Sequence, residues 1–158
     1  MYKRALVPLD GSPVAEAIIP FILEIAGPLD MAVTLLRVVE PITPVVVEGP
    51  SPAIVEDPAV RERDAEEYLA PIAAELRGRG VTVTWEVRRG LAPAVILATA
   101  KSTGADVIAM STHGRSGLGR LLFGSVAEQV LRHADVPVFL MRQTEARITA
   151  GAAKEIAR

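Results

Sequence analysis

Residues 106–141 read DVIAMSTHGRSGLGRLLFGSVAEQVLRHADVPVFLM, and this stretch decides the fold. It contains an apolar run, a glycine-rich segment, an amphipathic helical pattern and a second apolar run. The two apolar runs, Asp106–Ser111 and Val136–Met141, have the length of strands, so the pattern predicts a strand–helix–strand unit. A helical connection between two strands indicates that they lie parallel in one sheet.

The same alternation of strands and helices extends to the rest of the chain. Three further aliphatic runs precede the quoted stretch: Ala5–Leu9, Val33–Val39 and Val81–Val87. Helical patterns separate them, which gives the order β-α-β-α-β-α-β-α-β and predicts an α/β fold with right-handed crossovers. Because no linker or internal repeat divides the chain, we expect one domain over residues 1–142 and a C-terminal tail over residues 143–158.

The polarity of the runs predicts where each strand lies in the sheet. Four of them, including Val136–Met141, are nearly continuous in apolar residues, as expected for strands that helices cover on both faces. The run Val81–Val87 instead alternates apolar with polar residues. We therefore expect this third strand at an edge of the sheet or half exposed.

Helix start and stop signals bound the helical segments. Ser12 is a suitable N-cap for the first helix, which is expected to end at Gly27. The second and third helices are expected over about residues 60–77 and 93–102, and Gly104 ends the third.

The fourth helix is predicted to open at Ser125. Ser125 and Glu128 have the spacing of a capping box, in which each side chain bonds a free amide of the first turn. The residues expected to face inward are Val126, Val130, Leu131 and Ala134.

Composition excludes several classes of function. The net charge is −2 and no basic run is present, so we expect no nucleic-acid partner. The absence of cysteine excludes disulfides, thiolate catalysis and cysteine zinc sites. No stretch reaches the ~18 consecutive apolar residues of a membrane span, so we expect no membrane association and a cytoplasmic location.

The carboxyl ends of the strands are the expected ligand site. In open α/β sheets a ligand binds beyond these ends, where the strand order reverses. Asp10–Ser12, Val38–Glu40 and the segment from Ser111 onward follow the first, second and fourth strands. Asp10 has two interpretations, as a turn-forming residue before Ser12 or as a ligand contact, and its βα position favours the ligand contact.

The segment after the fourth strand has the features of a phosphate-binding loop. Gly114, Gly117 and Gly119 lie near its start, Gly124 and Ser125 open the next helix, and the side chains of Arg115 and Arg120 add positive charge. Glycines let backbone amides approach a ligand, and the N-terminus of a helix favours anions. The alternatives are a merely flexible loop and a plain N-cap at Ser125.

Together with Val7–Ser12 and Asp135–Val138, this segment resembles the universal stress protein family, over Tyr2 to about Arg142. The ATP-binding members carry Gly, two residues, Gly, nine residues, then Gly and Ser or Thr. Gly114 matches the second glycine, and Gly124–Ser125 follow after nine residues. The first glycine of this signature is replaced here by Ser111.

The resemblance implies a set of contact residues for an adenine nucleotide. Those near adenine and ribose would be Pro8, Asp10, Val38, Met110 and Ser111. Those around the phosphates would be Gly114, Arg115, Ser116, Gly117, Gly124, Ser125 and Val126. The ligand implied is ATP, with or without Mg²⁺, and AMP and ADP are also compatible with the motif.

The resemblance also implies architecture and assembly. It predicts a single open five-stranded parallel sheet of order 3-2-1-4-5 with helices on both faces, an adenine nucleotide alpha-hydrolase-like fold. Members commonly form homodimers through the last strand, here Val136–Met141. The alternative function is a dimeric stress or interaction protein of the same fold that binds no nucleotide, and the serine at position 111 is its best argument.

Enzymatic readings find less support in the motifs. The chain has no Gly-Lys pair for a Walker A loop, and Leu118 occupies the last glycine position of a nucleophile elbow. His113 is expected to be a loop residue beside the ligand, and His133 to be structural near a helix C-terminus. We therefore expect no enzyme, with at most slow incidental ATP hydrolysis; a hydrolase or nucleotidyl-transferring enzyme of this topology is the weaker alternative.

Overall fold

A computed structural model describes residues 2–41, 57–113 and 125–143. Across these residues five parallel strands form one sheet in the order β3-β2-β1-β4-β5, which confirms the predicted order. The strands are β1 (Arg4–Pro8), β2 (Ala32–Val39), β3 (Val83–Arg89), β4 (Val107–His113) and β5 (Val138–Gln143). Gln143, the first residue of the predicted tail, ends β5, and residues 144–158 lie outside the described residues, so the division into domain and tail stays a prediction.

The described helices cover both faces of the sheet. They are α1 (Pro13–Glu16), α2 (Ile19–Ala26), α3 (Pro58–Gly78), α4 (Ala92–Thr103) and α5 (Ser125–His133). Successive residues of a strand point to opposite faces, so Val7 packs with the residues of α2 and α3 while Leu6 packs with those of α4 and α5. Both side chains are fully buried, and burial of each contributes about 1.5–3 kcal/mol.

The predicted first helix is two helices in the structure. Ser12 caps α1 as predicted, because its Oγ accepts from the amide of Ala15 at 3.1 Å. The helix ends at Glu16, and a second helix begins at Ile19. Pro20 explains the break, since its ring collides with the carbonyl four residues earlier in a continuous helix and it has no amide to donate.

The buried face of α5 agrees with the predicted one except at one position. Leu131, which was expected to face inward, is 38% exposed, whereas Ala127 is buried beside Val130. Val126, Val130 and Ala134 pack in the core as predicted, and Ala127 takes the place expected for Leu131. The helix also begins at Ser125 itself, one residue earlier than an N-cap role for Ser125 would require.

The polarity pattern predicted the exposure of one edge strand correctly and that of the other incorrectly. β3 lies at an edge, as its alternating pattern predicts. β5 lies at the opposite edge, so the expectation that Val136–Met141 is buried on both faces is wrong for this chain alone. The exposed ring of Phe139 stacks on Phe21, with the ring centroids 4.1 Å apart. An apolar strand at an open edge leaves both its backbone groups and its side chains available to another chain.

The Gly90 turn before α4 generates a prediction about stability. Gly90 has φ +136°, and a Cβ built there would lie 2.7 Å from Cγ2 of Val95. We expect Gly90→Ala to lower the free energy of unfolding by about 1–3 kcal/mol, because both the backbone strain and the close contact oppose a side chain. Chemical denaturation at unchanged m-value measures the effect.

Gly78→Ala is the matched control. Gly78 ends α3 with no atom within 4 Å of the added Cβ, so alanine should raise stability by up to ~1 kcal/mol. A Gly90→Ala midpoint equal to that of the parent would contradict the strain assigned to this turn.

Candidate functional site

A cavity of about 510 Å³ opens at the carboxyl ends of β1, β2 and β4. This is the place where the strand order reverses, since α1 leaves β1 on one face and α5 follows β4 on the other. The volume lies within the ~300–1,000 Å³ typical of small-molecule sites. The predicted site residues that line it are Pro8, Asp10, Val38, Met110, Ser111, Ser125 and Val126.

The remaining predicted site residues cannot be placed in the cavity. Gly114, Arg115, Ser116, Gly117 and Gly124 lie outside the described residues. The described lining therefore contains the predicted adenine and ribose contacts and, from the predicted phosphate contacts, the first residues of α5.

Asp10 forms the turn between β1 and α1. Its Oδ1 accepts from the amide of Ser12 at 2.8 Å, and Gly11 between them has φ +85°. Thus the turn-forming interpretation of Asp10 holds. It does not exclude a ligand contact, because Asp10 is exposed, lines the cavity, and its Oδ2 has no protein hydrogen bond among the described residues.

A chain of polar contacts links the cavity to α3. The hydroxyl of Tyr68 donates to Oε1 of Glu16 at 2.8 Å, and the Arg37 guanidinium lies 5.7 Å from the centre of the Tyr68 ring. Arg37 also reaches the carbonyl of Leu9 at 3.5 Å. Burial, and then the Glu16 carboxylate, raise the pKa of the Tyr68 phenol well above its usual value.

The sequence analysis missed Arg37 as a cavity-lining residue. The available signal was an arginine inside an otherwise apolar run, because a strand buried on both faces rarely contains an unaccompanied charge. Its partner Tyr68 is 31 positions later in the chain, in helix α3, and only the fold brings the two side chains together.

Glu40 occupies the N-terminus of α4. Its Oε1 accepts from the amide of Ala92 at 3.0 Å, while Nη1 of Arg61 donates to its carbonyl oxygen at 2.6 Å. Glu40 and Ala92 both line the cavity. The carboxylate therefore satisfies a helix-terminal amide that would otherwise face the cavity, and a negative charge is favourable there.

Ser111 replaces a glycine of the family signature and has definite partners. Its hydroxyl donates to the carbonyl of Val14 and, at 3.2 Å, to that of Ala15. These bonds connect the end of β4 to α1 across the cavity wall. The serine is half-buried, and all three residues line the cavity.

The two histidines lie at the ends of a helix and of a strand. Nδ1 of His133 lies 2.9 Å from the carbonyl of Gln129, in the last turn of α5, in keeping with a structural role. His113 is the last residue of β4. In the three described ranges, no group of three or more histidine, aspartate and glutamate residues could hold a metal ion.

The described helices include none that is long and apolar enough to cross a membrane. The cytoplasmic location stays a prediction.

Comparison with protein families gives a match over most of the chain. The model of the family described as "Universal stress protein family" matches residues 1–142. Among curated relatives, universal stress protein MJ0531 of Methanocaldococcus jannaschii is 31% identical over 145 residues. That alignment covers 90% of this chain and 84% of the relative.

Solved structures share the fold. Universal stress protein UspA from Lactobacillus plantarum superposes with a TM-score of 0.72 at 23% identity, covering 89% of this chain and 98% of that one. A universal stress protein from Archaeoglobus fulgidus in complex with dAMP gives a TM-score of 0.62 at 22% identity, covering 88% and 97%.

The Tyr68 contacts predict a pH-dependent contribution to stability. The folded state raises the pKa of Tyr68. The contribution of the protonated phenol to the free energy of unfolding is therefore complete below the ordinary tyrosine pKa of about 10, and it falls as the pH rises above that value. There the unfolded chain loses a proton that the folded chain retains. We expect the free energy of unfolding to fall less steeply above pH ~10 in Tyr68→Phe than in the parent.

The same variant should be less stable at neutral pH, by about 0.5–1.5 kcal/mol, because the bond to Glu16 is lost. Tyr2→Phe is the control, since Tyr2 is 48% exposed. Equal alkaline slopes for the parent and Tyr68→Phe in denaturant titrations would contradict the assignment.

Proposed function

The chain belongs to the universal stress protein family, and on that premise we propose that it is a regulatory stress-response protein that binds an adenine nucleotide in the cavity at the carboxyl ends of its strands. The proposed ligand is ATP, with or without Mg²⁺. The single observation that carries the proposal is that residues from β1, β2, β4 and the start of α5, far apart in sequence, line one cavity of suitable size.

The apolar residues of the lining support binding of the adenine base. Pro8, Val38 and Met110 come from three adjacent strands, and Ile96 of α4 joins them in the lining. A flat purine ring gains from burial against such aliphatic surfaces. Asp10 and Ser12, also in the lining, supply oxygen atoms suited to ribose hydroxyls.

A difference between the N-termini of α4 and α5 supports an orientation of the nucleotide in which its phosphates lie at α5. Both α4 and α5 begin at the cavity. The carboxylate of Glu40 already bonds the first amide of α4, so an anion there would meet a negative charge. At α5, the consecutive residues Ser125, Val126 and Ala127 line the cavity, and helix N-termini bind phosphate through their free amides and dipole. We place the phosphates at α5.

The comparison with known structures agrees with an adenine nucleotide. The structural neighbour from Archaeoglobus fulgidus is in complex with dAMP, and it has the same fold as this chain. Its identity of 22% carries the fold alone, so the nucleotide is a proposal for this chain.

We propose that the protein acts by binding rather than by turnover. Occupancy of the cavity would change the surface around the strand ends and so the surface offered to a partner. Sustained release of phosphate at many turnovers per minute would contradict this proposal and favour a hydrolase.

The alternative is an interaction protein of the same family that binds no nucleotide. Ser111 in the place of the first signature glycine is the observation that favours it. Mass spectrometry of small molecules released from the purified, denatured protein separates the two. An adenine nucleotide in stoichiometric amount supports the first proposal, while a protein that releases none and binds no added ATP or adenosine supports the alternative.

We also propose that the protein forms a homodimer through β5. The edge position of this strand and the exposure of Phe139 support the proposal, together with the family resemblance.

The placement of the phosphates predicts a charge effect at Ser125. We expect Ser125→Asp to weaken ATP binding about tenfold or more, because two like charges about 4 Å apart repel by ~1–4 kcal/mol in partly solvated surroundings. Adenosine affinity should change less than about twofold. The new carboxylate suits a helix N-terminus, so the fold should be kept.

Ser125→Asn is the matched control, similar in size to the aspartate but uncharged, and it should keep most of the ATP affinity. Calorimetric titration of each variant with both ligands gives the comparison. Equal losses for ATP and adenosine in Ser125→Asp would place the phosphates elsewhere.

The proposed dimer predicts a difference between two equally exposed residues. Phe139 on β5 and Leu131 on α5 are each 38% exposed. We expect Phe139→Glu to convert the dimer to a monomer in sedimentation experiments, because charges would be buried at the edge. Leu131→Glu should remain dimeric, and a monomeric parent would contradict the proposal.

A further inference from the structure

The end of β4 is tied to α1 by one side chain. The hydroxyl of Ser111 donates to the carbonyls of Val14 and Ala15, which belong to a helix of only four residues. Ser111 lies 96 and 97 positions from these partners along the chain. A hydroxyl has one hydrogen, so the two carbonyls share it.

The two acceptor carbonyls are available because the helix stops. In a continuous α-helix they would accept from the amides of residues 18 and 19. Here the amide of Ile18 reaches the Ala15 carbonyl at 3.4 Å, and the amide of Ala17 reaches that of Val14 at 3.3 Å. Both bonds are long, so the amides at the end of α1 satisfy these two carbonyls only weakly. The Ser111 hydroxyl is a further donor to both.

The short helix carries one wall of the cavity. Ser12 caps α1 through the amide of Ala15, and Asp10 bonds the amide of Ser12. Asp10, Ser12, Val14 and Ala15 all line the cavity. A shift of α1 away from β4 would therefore move the turn that is proposed to face the nucleoside.

We propose that Ser111 is a positioning residue, whose hydroxyl holds α1 and the turn over residues 10–12 at the correct distance from β4 for nucleoside binding. The proposal rests on the function proposed above. It gives Ser111 a role in binding, whereas the alternative function takes the same residue as an argument against a nucleotide. In this chain the serine hydroxyl points to two backbone carbonyls, and glycine would leave them with only the long bonds from the amides of Ala17 and Ile18.

The test compares Ser111→Gly and Ser111→Ala with the parent. We expect both variants to lose affinity for adenosine and for ATP by the same factor, about two- to tenfold, as one ordinary hydrogen bond supplies. The ratio of the two affinities should stay constant, because the phosphates bind at α5. Tighter or equal binding in Ser111→Gly would overturn the proposal, and so would a loss for ATP alone.

Thr103→Val is the matched control. The Thr103 hydroxyl also donates to two helix carbonyls, those of Thr99 at 2.8 Å and Ala100 at 3.4 Å, but Thr103 does not line the cavity. It should lose stability and keep its affinity for both ligands. A similar loss of affinity in this variant would show that general destabilisation, and not positioning, explains the effect.

Amide hydrogen exchange tests the role of Ser111 without ligand, and so independently of whether the protein binds a nucleotide. In Ser111→Ala without ligand, the amides of Ala15, Ala17 and Ile18 should exchange faster, while those of β3 keep the parent rates. If the parent binds neither adenosine nor ATP, the proposed function is wrong, and exchange alone decides whether Ser111 positions α1. Unchanged exchange in α1 would overturn that role.

Discussion

The burial of β1 on both faces between β2 and β4 is the constraint on which the structure depends. Leu6 and Val7 point in opposite directions and are both fully excluded from solvent. Helices must therefore cover the two faces, and the chain must leave β1 on one face and return to β4 on the other. A crevice therefore forms between the connection that follows β1 and the connection that follows β4. It is a geometric consequence of the strand order, and the cavity lies there.

The polar groups around this cavity are held by contacts within the protein. Glu40 bonds the first amide of α4, Arg37 lies over the ring of Tyr68, and the Ser111 hydroxyl bonds the carbonyls of α1. Among the described residues, no buried side-chain nitrogen or oxygen lacks a hydrogen-bond partner. Such contacts fix the cavity walls before any ligand arrives, which lowers the cost of ordering on binding.

Much of the fold was predictable because the order of apolar and polar residues along the chain depends on which residues are buried. The apolar runs gave the strands, the Ser12 cap gave the start of α1, and Gly104, with φ +63°, ended α4. The missed features depend on distant partners. Arg37 and Tyr68 meet only in the fold, and the apolar character of β5 is compatible with a buried strand as well as with an edge that another chain covers. Leu131 was misplaced because it lies at the margin of the inward face of α5, where periodicity alone does not decide which residues are buried.

The cavity also shows why directional groups matter more here than net charge. The charged residues in the described lining are Asp10, Arg37, Glu40 and Arg61, whose formal charges cancel. The chain as a whole has a net charge of −2, so no long-range attraction draws a polyanion to it. Recognition of the proposed nucleotide would then come from short-range groups: apolar surface for the base, oxygen atoms for the sugar, and helix amides for the phosphates. Of α4 and α5, which both begin at the cavity, α4 has its first amide bonded by the carboxylate of Glu40, and the proposed place for an anion is therefore α5. In the proposed complex, the Glu40 side chain would thus set the direction of the nucleotide without contacting it.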